Sequence, residues 1–263
     1  MSLVHTLKSL FPVLTDRLLF RWQQLRYAGS NRRFRKEYPT TALPDAYTLY
    51  ESYQLNYRKY IEDGALTAQE IIDSIKDYLP PTPQILDWGC GPARITRHLK
   101  TVCPDAVITG CDTNTQTIQW NQQHIDHIHF ITQPQQPPLP FSSHQFDLII
   151  GFSVLTHIPA SEQEAWLTEL HRILKPGGIC WITTHGQYFI DKLPEESKQT
   201  IRQKGIYSTQ YPIAGHRMMS TYHQPETCKN LLQEKFELLS HFNGTTHPEK
   251  AGRQDLWIGR RNG

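Results

Sequence analysis

The segment Asp87-Trp88-Gly89-Cys90-Gly91-Pro92-Ala93-Arg94 follows the apolar pair Ile85-Leu86 and leads into a stretch able to form a helix. A strand that turns through glycines into a helix aims backbone N–H groups at a ligand lying beyond the carboxyl edge of a sheet. Glycine is needed in such a turn because a side chain would block the ligand or the required backbone angles. A dinucleotide fingerprint would place a third glycine at position 94, where Arg94 stands, so a nicotinamide cofactor is disfavoured. Twenty-five residues after Asp87, the run Ile108-Thr109-Gly110-Cys111 ends in Asp112. A carboxylate at the end of a second strand can accept both hydroxyls of a ribose, which points to a nucleoside with a free 2′-OH. Helix N-capping is the competing role for Asp112, and the two are compatible.

Further along, Leu155-Thr156-His157-Ile158 places a histidine just past another apolar run. Imidazole titrates near neutral pH, so His157 is the first candidate for a general base; a structural histidine capping the next helix is the alternative. His185 and His223 are second choices. His124, His127 and His129 straddle a helix end and a strand start at mixed spacing, and no metal site is expected from them. Tyr50, Tyr53, Tyr57 and Tyr60 recur at steps of three and four and would share one helix face. That face reads first as core packing, and otherwise as a hydroxylated aromatic wall suited to a sugar or other polar acceptor.

These residues need a scaffold, and the apolar pattern supplies one. Short runs at 84–88, 107–111, 128–132, 146–151 and 179–184 alternate with helical segments at 93–102, 115–124 and 161–174, which predicts parallel βαβ units in a doubly wound sheet. Lys175-Pro176-Gly177-Gly178 is a turn after the last of these helices. A mostly polar insertion follows at about 185–223, then a helix at 225–234 and strands at 236–242 and 255–260 whose short connection predicts an antiparallel finish. Upstream, helices are predicted at 3–10 and 15–28 with Pro12 as a break, at 45–62, and at 67–78 opening on a Thr67 to Glu70 capping box. Pro80, Pro81 and Pro83 mark a boundary, giving a helical region 1–80 and a core 81–263.

The chain has 263 residues, 38% of them hydrophobic and 20% charged, enough apolar content for one main core. No apolar run approaches the roughly 20 residues that cross a bilayer. The net charge of +2 divides unevenly: residues 1–40 hold eight Lys/Arg against two acids, +6, leaving −4 for the rest. A basic head alone makes no groove for nucleic acid, so none is expected as substrate. The head reads as a lid over the sheet; weak membrane-surface contact through residues 1–40 is the other reading. Five cysteines without CxxC spacing, and no secretory leader, fit a reduced, cytoplasmic protein.

Taken together, Ile85–Leu99, Asp112, Leu139-Pro140-Phe141 followed by Phe146-Asp147-Leu148-Ile149, and Leu174-Lys175-Pro176-Gly177-Gly178 resemble the class I S-adenosylmethionine-dependent methyltransferases over about residues 84–184. Thr183-Thr184-His185-Gly186, Thr221-Tyr222-His223-Gln224-Pro225-Glu226 and Gln254-Asp255-Leu256 resemble the closing segments of a bacterial branch acting on small molecules and glycans. The resemblance implies a Rossmann-like α/β fold: a seven-stranded sheet, mostly parallel with an antiparallel C-terminal strand, under an N-terminal helical lid. It implies S-adenosylmethionine as cofactor, S-adenosylhomocysteine as product, and no metal. Asp87, Gly89 and Gly91 would border its methionine and ribose, Asp112 the ribose hydroxyls, Thr113 the adenosine, Gln133 the adenine edge, and Phe152 and Ser153 the methionine. Tyr53, Tyr57, His185, Tyr222 and His223 would line the acceptor pocket. The Asp/Asn-Pro-Pro-Tyr element used for planar nitrogen acceptors is replaced by Gly151-Phe152-Ser153-Val154. The expected reaction is methyl transfer to a hydroxyl of a saccharide or natural product; a cofactor-binding, non-catalytic regulatory or assembly partner is the alternative.

Overall fold

The computed structural model describes residues 12–209 and 219–262. Its centre is a seven-stranded sheet of β1 (Gln84–Trp88), β2 (Val107–Asp112), β3 (His129–Thr132), β4 (Phe146–Gly151), β5 (Leu174–Thr184), β8 (Phe236–Phe242) and β9 (Asp255–Arg261), in the order β3-β2-β1-β4-β5-β9-β8. β1 to β5 pair in parallel, while β9 runs antiparallel between β5 and β8. β5 begins before the predicted 179–184. Leu174 already pairs with Phe146, and the Lys175–Gly178 stretch bulges out before pairing resumes at Leu148 and Ile179.

Both sheet faces are buried, which is why the strands read as near-continuous apolar runs. Ile85, Leu148, Ile150, Ile179 and Trp181 face one layer, and Leu86, Ile149, Cys180 and Ile182 the other, as the two-residue period of a strand requires. The first layer comes largely from α3 (Tyr57–Ile75) and α4 (Thr96–Val102), through Ala68, Ile71, Ile72, Ile75 and Leu99. The second comes from α6 (Ala160–Ile173) and α9 (Pro225–Gln233), through Trp166, Leu167, Leu170, Ile173, Cys228 and Leu232. The remaining crossover helix, α5 (Thr115–His124), is N-capped by Asn114.

Upstream of β1 the observed helices differ from the periodicity. α1 runs unbroken over Pro12–Glu37 among the described residues, longer than the predicted 15–28. The helix predicted at 3–10 lies outside the described residues. The segment 45–62 is two helices: α2 (Ala46–Ser52), N-capped by Asp45, and α3, N-capped by Asn56, with Tyr53 in a non-helical conformation between them. Thr67 therefore opens nothing. It sits mid-helix, donating its hydroxyl to the Asp63 carbonyl at 2.6 Å, while Glu70 accepts from the Ala251 N–H at 3.3 Å. α1 is tied to α2 through buried Asp16, whose carboxylate accepts from the hydroxyls of Tyr47 at 3.1 Å and Tyr50 at 2.8 Å.

α3 lies directly against the glycine turn. The Tyr60 hydroxyl donates to the Pro92 carbonyl at 2.5 Å, and a Cβ at Gly64 would collide with the Arg94 carbonyl oxygen. The insertion holds α7 (Gln187–Ile190), α8 (Glu195–Lys204) and a two-stranded antiparallel sheet of β6 (Ile206–Ser208) and β7 (Thr221–His223).

Candidate functional site

A cavity of about 850 Å³ opens at the carboxyl ends of β1, β2 and β4, of a size to take a nucleoside cofactor together with a small second molecule. Its floor is the glycine turn. Gly89 has φ 69° and Gly91 φ 50°, left-handed conformations that favour glycine, and a Cβ at Gly89 would stand 2.6 Å from Val154 Cγ2. Ala93, φ 61°, and Ser153, φ 63°, hold the same conformation without being glycine, a strain that collects at functional sites.

Asp87, Gly89, Gly91, Asp112, Thr113, Gln133, Phe152, Ser153, His157 and Tyr53 all line this cavity. Asp112 accepts from the Gly91 N–H at 2.9 Å and the Asn114 N–H at 2.8 Å, so it braces the glycine turn while facing the cavity; burial raises its carboxyl above the ordinary range. Asp87 is almost wholly buried, accepts from the Thr96 hydroxyl at 2.5 Å, and is pushed up to about 7 by burial, with Asp112 adding to the rise. The Gln133 carboxamide oxygen accepts from the Cys111 thiol at 2.9 Å. Ser153 is held from three sides: its N–H donates to Thr183 Oγ1 at 2.7 Å, and its hydroxyl meets Thr156 Oγ1 and the Gln254 amide, each at 2.9 Å. Phe152 stacks on Trp181 with ring centroids 6.0 Å apart.

His157 sits on a 3₁₀ turn, Leu155–His157, immediately after β4. Its Nδ1 lies 2.8 Å from the Met219 carbonyl oxygen, which can only accept, so Nδ1 carries the proton and the basic lone pair is on Nε2.

The structure does not bring Tyr57, His185, Tyr222 or His223 to the cavity. Tyr57 opens α3 on the side facing α1, with its ring against Phe34 and under the Arg35 guanidinium. The other three are packed behind the His157 turn. His223 is buried and donates from Nε2 to Gln163 Oε1 at 2.7 Å; the Gln163 amide in turn donates to the Leu155 and Ile158 carbonyls, each at 3.0 Å. His185 lies against Phe189 and Tyr222, its ring tilted to both, with centroids 4.3 and 5.2 Å away. Through Gln163, His223 is linked to the carbonyls on either side of His157. Of the clustered histidines, His124 stacks on Trp120. Among the described residues no group of three His, Cys, Asp or Glu side chains is placed to hold a metal ion.

Burial pushes His185 down to about 3 and His223 to about 4. The unfolded chain would take up a proton on His185 near pH 6.5, whereas the fold refuses it until about pH 3, so acid favours unfolding across that window. His185→Phe is expected to flatten the fall in unfolding free energy by about 1.4 kcal/mol per pH unit between pH 6 and 4. Denaturant titrations at several pH values check this, and an unchanged slope would show that His185 is protonated in the fold.

Arg94 and Gln254 also line the cavity; the sequence shows the first as the departure from a dinucleotide fingerprint and the second within a closing motif, and the reach of Gln254 to Ser153 depends on β9 lying beside β5.

Comparison with known proteins agrees with this geometry. Residues 85–178 match the family model described as a methyltransferase domain. Over 128 residues the chain is 27% identical to trans-aconitate 2-methyltransferase of Variovorax paradoxus, covering 47% of this chain and 46% of the relative. It is 33% identical over 114 residues to malonyl-[acyl-carrier protein] O-methyltransferase of Enterobacter lignolyticus, covering 43% and 41%. A tRNA N(3)-cytidine methyltransferase of Gallus gallus is 24% identical over 140 residues, covering 49% and 38%. In each case the match spans less than half of the relative. Among solved structures, a SAM-dependent methyltransferase from Methanosarcina mazei superposes with a TM-score of 0.55 at 20% identity, covering 72% of this chain and 97% of that one. The Burkholderia thailandensis 1,6-didemethyltoxoflavin-N1-methyltransferase, solved with 1,6-didemethyltoxoflavin and S-adenosylhomocysteine bound, gives 0.55 at 16% identity, covering 77% and 80%. Residues 85–178 thus match a methyltransferase domain, and the sheet with one antiparallel strand, carrying an open glycine turn beside a carboxylate at the end of β2, is a fold shared with solved S-adenosylmethionine-dependent methyltransferases.

Proposed function

We propose that this protein transfers the methyl group of S-adenosylmethionine to an oxygen of a small polar acceptor, such as a hydroxyl of a saccharide or natural product. The observation that carries the reading is His157, a cavity-lining imidazole whose Nδ1 is engaged by the Met219 carbonyl so that Nε2 is the basic atom. S-adenosylmethionine, when bound, supplies an electrophilic methyl on a sulfonium centre. Asp112 would accept the ribose hydroxyls, Gln133 would meet the adenine edge with Thr113 alongside, and Phe152 and Ser153 would border the methionine. Displacement at a methyl group needs in-line alignment above all, which rigid walls such as the Ser153–Gln254–Thr183 network provide. A hydroxyl acceptor must also lose a proton, and Nε2 of His157 would take it. The malonyl-[acyl-carrier protein] O-methyltransferase among the relatives supports an oxygen acceptor. The test is S-adenosylhomocysteine formation across a panel of sugars, hydroxy acids and phenols. Binding of S-adenosylhomocysteine with no turnover on any of them would favour the non-catalytic partner role.

For α1 the reading is contact with an anionic membrane surface. Leu14, Leu18, Trp22 and Leu25 are 57%, 62%, 51% and 81% exposed and recur at helical spacing on one side, which Arg21, Arg32 and Lys36 continue. The opposite side is the one pinned to α2 through Asp16 and Phe20. Protein should co-sediment with phosphatidylserine vesicles at low salt, and Leu18→Glu with Trp22→Glu should abolish it. Wild-type protein left in the supernatant would dismiss the contact.

A further inference from the structure

Gln163 stands on the buried face of α6 beside Trp166, Leu167 and Leu170, where the stripe of the helix would place an apolar side chain. A buried carboxamide is costly unless each of its polar groups is bonded. Here all are: the two N–H groups go to the Leu155 and Ile158 carbonyls, each at 3.0 Å, and the oxygen accepts from His223 Nε2 at 2.7 Å. Carbonyls only accept, so the amide can face no other way. His223 makes its contact at a cost, because its buried Nδ1 has no hydrogen-bond partner among the described residues. Apolar side chains at both positions would avoid that cost. What the pair holds is the backbone on either side of His157.

A second directed chain ends on the same carbonyl. Thr221 donates its single hydroxyl proton to the Ile158 carbonyl at 2.7 Å, so Ser208 must donate to Thr221 Oγ1 at 2.8 Å, and the Ala160 N–H donates to Ser208 Oγ at 3.1 Å. Met219 supplies a further contact, the carbonyl that takes the His157 Nδ1 proton. Met219, Thr221 and His223 are alternate residues, buried while Ser220 and Tyr222 between them are partly exposed. One stretch of the insertion therefore meets the His157 turn at three points.

We infer that Gln163 and Thr221 are positioning residues for His157, fixing the carbonyls on either side of it so that the insertion, and not the sheet alone, sets the place and tautomer of the imidazole. The inference rests on the methyl-transfer reading, in which Nε2 of that ring takes the proton of the acceptor. A turn free to shift would let Nδ1 part from the Met219 carbonyl. The proton could then sit on Nε2 instead, leaving that nitrogen unable to accept another.

The test uses the full chain with Gln163→Met, Thr221→Val and, as the conservative variant, Thr221→Ser. The first readout is the tautomer of His157, taken from proton–nitrogen correlation spectra of the imidazoles at a pH where they are neutral, its signals being those missing from His157→Ala. The wild type should show Nδ1 protonated. Gln163→Met and Thr221→Val should each populate the form protonated on Nε2, and Thr221→Ser should return to the wild-type pattern. Valine keeps the shape of threonine, so Thr221→Val decides the matter should Gln163→Met fail to fold. The second readout is kinetic, with an acceptor from the panel that turns over: kcat should fall by about tenfold or more in Gln163→Met and Thr221→Val while KM and S-adenosylhomocysteine affinity stay within about twofold. Wild-type His157 signals in Thr221→Val, a loss of cofactor affinity as large as the loss of rate, or a serine variant no better than valine would overturn the inference. If His157→Ala keeps the wild-type rate, the base reading falls and the inference with it; if His157→Ala is slow and the tautomer is unchanged in Thr221→Val, the positioning roles alone are lost.

Discussion

Asp112→Ala is expected to weaken S-adenosylhomocysteine binding by about 10²-fold to 10⁴-fold, because two hydroxyl hydrogen bonds to a carboxylate are each worth about 1.5–3 kcal/mol. Part of that loss is indirect. The same carboxylate holds the Gly91 and Asn114 N–H groups, so removing it also loosens the turn that the ligand lies against. Asp112→Asn separates the two contributions: its carbonyl oxygen can still brace the Gly91 N–H, yet it lacks the charge and second acceptor needed for a ribose diol. Calorimetry should therefore place Asn between Ala and the wild type. A loss of less than about fivefold in the alanine variant would exclude Asp112 as the ribose residue.

His157→Ala should lower the maximal rate by about 10² to 10⁴, the usual range for a lost general base, with little change in S-adenosylhomocysteine affinity. The pH profile is the sharper reading. A base must be unprotonated to act, so whatever rise of rate with pH this imidazole causes should vanish in the variant. His157→Gln can restore the hydrogen bond to the Met219 carbonyl without restoring the base, and it should remain slow. Should His157→Ala keep both the rate and its pH dependence, the histidine serves only to position the turn. The measurement requires an acceptor that turns over, with S-adenosylhomocysteine release as readout.

How far such features can be read from residues alone depends on whether their cause is local. β1, β4 and α5 appear at their predicted limits because buried strands and a capped helix each carry their signal within a few residues. The glycine turn and Asp112 were legible for the same reason, since the chemistry and the elements that present it are adjacent in the chain. The tyrosine face shows where local reading stops. Its spacing fits one helix, but Asn56 caps a new one and Tyr53 leaves the helical region, so Tyr50 turns to Asp16, Tyr60 to Pro92, Tyr53 to the cavity and Tyr57 to α1. His185 and His223 carried no sign in their own neighbourhoods that Gln163 and Phe189 would enclose them behind His157. Arg94 is the opposite case: its position in the motif is plain, but its seat over the rings of Tyr53 and Phe152 is a property of the folded surroundings.

The close seating of α3 bears on where this chain can be divided. Residues 57–75 supply Ile71, Ile72 and Ile75 to the layer beneath β1 and β4, donate Tyr60 to the glycine turn, and accept the Trp181 indole N–H on Ser74 at 3.2 Å. A fragment begun at residue 81 would leave Ile85, Leu148 and Ile150 open to water and strip the back of the turn, so the smallest unit able to hold a ligand has to start before Tyr57. The three prolines end a helix without ending the core. The break in the chain falls instead at the irregular Tyr53–Asn56 link between α2 and α3, upstream of every residue that α3 contributes to the core.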